Sequence, residues 1–274
     1  MALQKLYFSG VASQREFKLL QQAGVKRIMV DPFDLKNVPA DWDGEMLLDS
    51  GAYRAFKQPR KALSVEQLVD FVMAHRQRLT GIVASDIIGQ PITSMLKSLR
   101  FLVQFEQRAV AVNPQERPWV MAVWQWGASP RLLPVLMQWA DVVGIGGCQP
   151  WLKARSKADK QVRAENFEAL NDLCQSLYQH YGPRTHIFGN CWERSIEELA
   201  PVVASSDTSH WITPKRSGCV VFRHDKGHLA KAPARVLSEA KEWSLNERCV
   251  ESAKAIASFL GEPGGVPKRV HVSG

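Results

Sequence analysis

Five short segments of the chain each end an apolar stretch on residues that can do chemistry. They are Leu47–Tyr53 with Asp49, Val83–Asp86, Ala122–Gly127 with Gln125, Val143–Cys148 with Gly146 and Gly147, and Val203–His210 with Asp207. A carboxylate attacks an electrophile or carries a proton, while a side-chain amide and a backbone N–H bind the polar edge of a ligand. Gathered together, three carboxylates, one amide and a Gly-Gly backbone form one small polar ring. Glycine suits such a place because a side chain there would hold a ligand off the backbone.

The ring needs a scaffold that brings five strand ends together. Apolar strand patterns read at 4–9, 25–30, 45–49, 81–86, 118–125, 140–146, 185–189 and 201–206. Helical spacing lies between them at 12–23, 65–78, 93–112, 129–138, 163–181 and 193–199. Continuous apolar runs are the mark of buried parallel strands. Alternation in this order predicts an α/β fold, a (β/α)8 TIM-type barrel, whose C-terminal face carries the site. Ser64 followed by Gln67 reads as a capping box, and Ser129-Pro130 as a cap with proline at the first helical position. The stretch 31–44 carries no clear helix, and 235–261 reads as amphipathic helices that close the barrel. A single domain over 1–261 and a flexible tail over 262–274 follow.

Composition bounds the setting. At 274 residues and 45% hydrophobic the chain can bury one large core. No apolar run reaches the ~20 residues of a membrane helix, and Met1–Gly10 lacks the apolar core of a signal peptide. Five scattered cysteines, at 148, 174, 191, 219 and 249, argue against a disulfide framework and for a cytoplasmic protein. A net charge of +8 suits a polyanionic partner. The excess is grouped: Arg54, Lys57, Arg60 and Lys61; Lys153, Arg155, Lys157, Lys160 and Arg163; Lys215, Arg216, Arg223 and Lys226. Each group follows a candidate site segment, although a charge run is also the ordinary make-up of a solvated face.

Four of the segments together carry a resemblance. Asp49-Ser50-Gly51-Ala52-Tyr53 resembles the Asp-Ser-Gly-Gly-Phe strand end of tRNA-guanine transglycosylases, and Gln125 resembles the glutamine of their Val-Gln-Gly segment. Gly144-Ile145-Gly146-Gly147 is similar to their Ile-Gly-Gly segment, and Asp86 stands where their second aspartate would. The order and approximate spacing agree over roughly residues 45–216. The Cys-x-Cys-x-x-Cys…His zinc site of the tRNA enzymes has no counterpart, and neither has their RNA-binding appendage. The chain therefore resembles the compact phage and bacterial DNA-guanine transglycosylases, with no zinc subdomain, no metal and no cofactor expected. Cys219, His224 and His228 do not have a familiar metal-ligand spacing.

The resemblance implies exchange of guanine in DNA for a free 7-deazaguanine base, such as 7-cyano-7-deazaguanine. Asp207 would attack the sugar C1′ and form a covalent aspartyl–sugar intermediate, and Asp49 would move protons on the leaving and entering bases. An ungapped alignment through Thr213-Pro214-Lys215-Arg216 instead sets His210 on the nucleophile position, so both residues stand as alternatives. Asp86 would accept from the two adjacent donors of the guanine edge, with Gln125 and the Gly146-Gly147 backbone serving its oxygen. Tyr53 or Phe56 would stack the base, flipped out of the DNA, and Arg54, Lys57, Lys153, Arg155, Lys157, Lys215 and Arg216 would hold phosphate. Each residue has a structural reading too. Asp49, Asp86 and Asp207 could cap turns, Gln125 could be a satisfied core amide, and Cys148 a buried thiol. The same exchange on RNA or tRNA, or a non-catalytic nucleic-acid-binding barrel, are the competing functions.

Overall fold

The computed structural model describes residues 5–148, 157–189, 198–224, 227–259, 261, 265–268 and 270, with side chains from 161 onward in the second of these spans. Eight parallel strands close on themselves in chain order: β1 (Lys5–Phe8), β2 (Arg27–Val30), β3 (Glu45–Leu48), β4 (Gly81–Val83), β5 (Trp119–Gln125), β6 (Val142–Gly146), β7 (Thr185–Ile187) and β8 (Ser205–Thr208). β8 returns to β1 with Asp207 opposite Tyr7, and the β5–β6 ladder sets Gln125 opposite Gly146. The expected α/β barrel is present.

Strand side chains alternate between the barrel interior and the helix layer. Tyr7, Met29, Leu47, Val83, Met121 and Val123 fill the interior, with Phe188 packed against them. Leu6, Phe8, Ile28, Val30, Met46, Leu48 and Ile82 point the other way into the main core. There they meet Phe17 and Leu20 of α1 (Gln14–Gln22), Leu68 and Val72 of α3 (Val65–His75), and Phe101 and Phe105 of α4 (Pro91–Ala109). Both strand faces are buried, which is why the strands read as unbroken apolar runs. At the N-terminal end Glu45 accepts from Lys5, Arg27 and Tyr7 and closes the barrel floor.

Local signals place the helices. The Ser64 hydroxyl accepts from Gln67 N at 3.1 Å and the Gln67 side chain from Ser64 N at 2.9 Å, the reciprocal pair expected of a capping box. α4 starts on Pro91 and buries Ser94, Met95, Ser98, Phe101, Leu102 and Phe105, one helical face. Its two serines hold the segment after β4. Ser94 both accepts from Ile87 N and donates to Ile87 O, and Ser98 bridges Val123 N and Ser85 O. The loop bearing Asp86 is thereby fixed to the helix behind it.

Several expectations need correction. The eighth strand lies at Ser205–Thr208, so Asp207 sits within it rather than beyond a strand at 201–206. Its four polar residues are all buried and paired to β1, with Ser205 and Ser206 also paired to β7, and an apolar-run criterion passes over them. Within 31–44, Pro32–Asn37 forms a 3-10 helix capped by Asp31. Among the described residues of the 235–261 stretch only Leu245–Phe259 is α-helical, and an antiparallel ribbon, Cys219–Arg223 with Leu229–Pro233, precedes it. Part of the expected flexible tail is docked: Gly265 N donates to Ala23 O, Lys268 N to Glu251 Oε2, and Val270 is buried. The helix expected over 193–199 falls almost wholly outside the described residues. Among the described residues no helix is long and apolar enough to cross a membrane.

Candidate active site

The C-terminal ends of the strands deliver polar residues to one mouth. Asp49 follows β3 with its N–H bonded to Val30 O at 2.8 Å, and it shares the inward parity of Leu47. Burial pushes its carboxyl up from 3.8 to about 7, and the neighbouring charges of Asp86, Asp31 and Asp207 push the same way. Four carboxylates from the ends of β2, β3, β4 and β8 therefore share one field. A carboxyl so placed holds a proton near neutral pH and can exchange it with a ligand.

Asp86 and Gln125 form one unit. Asp86 Oδ1 accepts from the Ser50 hydroxyl at 2.6 Å, and Oδ2 from Gln125 Nε2 at 3.1 Å. Burial raises the Asp86 carboxyl, while the bonds from Ser50 and Gln125 and the charge of Lys97 oppose that rise. Gln125 Nε2 also donates to Ile87 O at 2.7 Å, and Gly89 N donates to Gln125 Oε1 at 3.0 Å. Both amide hydrogens are thus used inside the protein, and Gln125 is only 3% exposed. So placed, Gln125 orients Asp86 and the Ile87–Gly89 turn. Each Asp86 oxygen keeps a lone pair for a ligand.

Asp207 is anchored from two sides, by the Ser9 hydroxyl on Oδ2 at 2.7 Å and by Gly189 N on Oδ1 at 2.7 Å. His210 belongs to the next turn, a 3-10 helix over His210–Ile212, where its N–H donates to Thr208 Oγ1. Trp211, fully buried, donates its indole N–H to Ser9 O and holds the Ser9 backbone in place. Between the two candidate nucleophiles, Asp207 is the one inside the ring of strand ends.

The glycines differ in what they permit. A Cβ at Gly144 would stand 2.3 Å from the Phe188 ring and 2.8 Å from Met121 sulfur, so this glycine makes room for the aromatic plug. At Gly146 a Cβ would meet Phe188, Gln125 and Val123 at ordinary contact distances of 3.6 Å or more. Gly147 takes φ +72°, a left-handed conformation that favours glycine, and lies against Trp126 N and the Gln125 side chain. Cys148 beside it is a buried thiol.

The cations are deployed unequally. Arg54, on α2 (Ala52–Lys57), donates to Asp31 at 2.9 Å and bonds Asp34, and its guanidinium lies over the Phe33 ring. Its charge is answered by these two carboxylates of the protein. Lys57 is on the same helix with exposed Tyr53 and Phe56, and its ammonium sits 5.7 and 5.8 Å from their rings. Tyr53 is 64% exposed. Lys215 pairs with Glu16 at 2.8 Å, and Arg216 donates to Ser209 at 3.2 Å beside the mouth. Lys153, Arg155 and the side chain of Lys157 lie outside the described residues, as does Lys226. No three His, Cys, Asp or Glu among the described residues are arranged to hold a metal ion.

Sequence reasoning passed over Ser9, Asp31, Ser50, His186 and Phe188. Ser9 and Asp31 each stand immediately after a strand, at Phe8 and Val30, the same position that flagged Asp49. That signal was present. His186 within Thr185–Ile187 gave none, because a lone histidine in an apolar strand reads as core. No protein-family model matches the chain, and no curated protein matches it at a significant level.

Proposed function

We propose that the protein is a guanine transglycosylase that exchanges guanine in DNA for a 7-deazaguanine base through a covalent aspartyl–sugar intermediate. The observation that carries the reading is a division of labour between two carboxyls of one mouth. Asp49 is pushed up to about 7, whereas Asp207 is held in orientation by Ser9 and Gly189. Pairs of carboxyls in contrasting environments are how glycosyl-transfer sites separate the proton carrier from the nucleophile.

Asp207 attacks C1′ of a flipped-out nucleotide. The C1′–O bond forms as the C1′–N9 bond breaks, the bonding pair leaves with the base, and protonated Asp49 supplies the proton that the base takes up. The incoming base then returns a proton to Asp49, its N9 attacks C1′, and Asp207 departs as carboxylate. Atoms and charge balance without a cofactor. Asp86, steadied by Ser50 and Gln125, accepts from the paired donors of the guanine edge, and the Gly147 N–H serves O6. Lys57, Arg216 and the 153–163 cluster supply the charge for the backbone.

The test is incubation with radiolabelled-guanine DNA and free 7-cyano-7-deazaguanine, followed by a denaturing gel and nucleoside mass spectrometry. Release of label, a denaturant-stable protein–DNA adduct and loss of both in Asp207→Asn support the reading. An adduct mapped to His210 would replace the nucleophile. Exchange on matched RNA but not on DNA would move the substrate to RNA, and binding without release or adduct would leave a nucleic-acid-binding barrel.

A further inference from the structure

Below Asp207 the barrel interior holds a polar pair that the chemistry above does not use. His186 on β7 is fully buried, with its ring between Tyr7 (centroids 6.5 Å apart) and Phe188 (4.7 Å, edge-on at 65°). Its Nδ1 lies 2.8 Å from Ser205 Oγ on β8. Its Nε2 has no hydrogen-bond partner and stands 3.5 Å from Asp207 Oδ1. A buried imidazole nitrogen without a partner is costly unless it has a use.

The tautomer follows from the neighbours. A carboxylate oxygen only accepts, so an unprotonated Nε2 would set two lone pairs against each other. Nε2 therefore carries the hydrogen and Nδ1 accepts from the Ser205 hydroxyl. The order Ser205–His186–Asp207 then runs up the barrel interior, with the Ser205 hydroxyl donating to Nδ1 and the Nε2–H on the side of Asp207.

We propose that His186, fixed in its Nε2–H form by Ser205, is a positioning residue that holds Asp207 Oδ1 together with the Gly189 amide. This rests on the reading of Asp207 as nucleophile. Two donors on Oδ1 leave Oδ2, held by Ser9 alone, as the oxygen that bonds C1′. In the glycosyl ester Oδ1 is the carbonyl oxygen. As the C1′–O bond breaks, negative charge returns to the carboxylate, and the Gly189 and His186 donors take it up. The second half of the exchange therefore depends on His186 more than the first.

Two measurements test this. Long-range 1H–15N spectra of the whole protein, with His186 assigned among the seven histidines by difference against His186→Gln, read the tautomer directly. A protonated Nε2, an unprotonated Nδ1, and a displacement of Nε2 in Asp207→Asn are expected. The Nδ1–H form, or a resonance indifferent to Asp207→Asn, overturns the proposal whether or not the protein exchanges bases. In the exchange assay His186→Gln, whose amide can donate in place of Nε2, retains turnover. His186→Phe loses roughly ten- to hundredfold in kcat with unchanged KM for DNA, while the covalent adduct accumulates. Equal loss in both variants, or a change in KM alone, overturns it. Should the tautomer be as expected while neither label release nor adduct is found in the parent, the reading of Asp207 as nucleophile is what has failed.

Discussion

The Gln125 amide donates to Asp86 Oδ2 at 3.1 Å and so ties the end of β5 to the segment that follows its paired neighbour β4. One hydrogen bond converts two candidate recognition residues into a reader and its support. Asp86 keeps free lone pairs, and Gln125 keeps no free hydrogen.

The two residues should consequently fail differently. Asp86→Ala removes the acceptor for two buried donors of the base and should lower kcat/KM for guanine exchange by about 2–3 kcal/mol, with a small effect on folding. Gln125→Leu strands Asp86 Oδ2, Ile87 O and Gly89 N at once, and should cost about 1–3 kcal/mol in stability as well as activity. Denaturant unfolding beside exchange kinetics separates them. A Gln125→Leu protein of parental stability would show that the amide network contributes nothing to the fold.

Asp49 links the site to pH. Its carboxyl titrates near 3.8 in an open chain and near 7 in the fold, so between those values the native state holds the extra proton. Raising pH through this window withdraws that proton and lowers stability, and above about pH 7 the whole cost is in place. Asp49→Asn removes it. The variant should match the parent's dependence below about pH 4 and exceed its stability at pH 8. The gain is at most about 4 kcal/mol and smaller to the extent that water reaches the mouth. A parent curve flat from pH 4 to 8 relative to Asp49→Asn would refute the raised carboxyl. In the exchange assay, base release should fall above about pH 7 as Asp49 loses its proton.

Strand ends such as Asp49, Asp86 and Gln125 were legible because each closes an apolar run, the signature of a parallel strand buried on both faces. Asp207 was found among polar neighbours, but its strand was misplaced. Ser205, Ser206, Asp207 and Thr208 form a strand on backbone pairing to β1 and β7, which side-chain hydropathy does not report. Partnership was the other blind spot. Nothing in the order Arg54–Lys57 says that the first cation turns inward to Asp31 and Asp34 while the second remains outside with Tyr53 and Phe56. His186 was hidden for the opposite reason, since its neighbours on the strand are apolar and its polar partners come from β8.

Gly144 and Gly146 offer a matched pair. Adding a methyl group at Gly144 drives it to 2.3 Å from the Phe188 ring, and Gly144→Ala should destabilise by about 1–3 kcal/mol through displacement of the interior plug. Gly146→Ala meets nothing closer than 3.6 Å and should fold within about 0.5 kcal/mol of the parent. Its methyl instead lies against Phe188, Gln125 and Val123 beside the proposed base site, and KM for the free base should rise several-fold. Thermal unfolding with exchange kinetics decides it. An active Gly146→Ala with unaltered KM would place the base elsewhere.

The cations allow the sharpest separation of surface from structure. Removing one cation that neutralises a duplex phosphate should reduce the slope of log affinity against log salt by about 0.9. Replacing Lys153, Arg155 and Lys157 by glutamine should flatten that slope while leaving unfolding untouched. Arg54→Gln should do the reverse, because its guanidinium answers Asp31 and Asp34 rather than solvent. The substitution leaves Asp31 and Asp34 without their counter-charge, at a cost of about 1–3 kcal/mol in stability for a pair partly open to water. It also strengthens the field that raises Asp49, to which Asp31 already contributes, so the pH at which base release falls should move upward. Salt titrations of DNA binding, unfolding curves and the pH profile of exchange read the three effects independently. A reduced salt slope with parental stability in Arg54→Gln would return that residue to the DNA-binding surface.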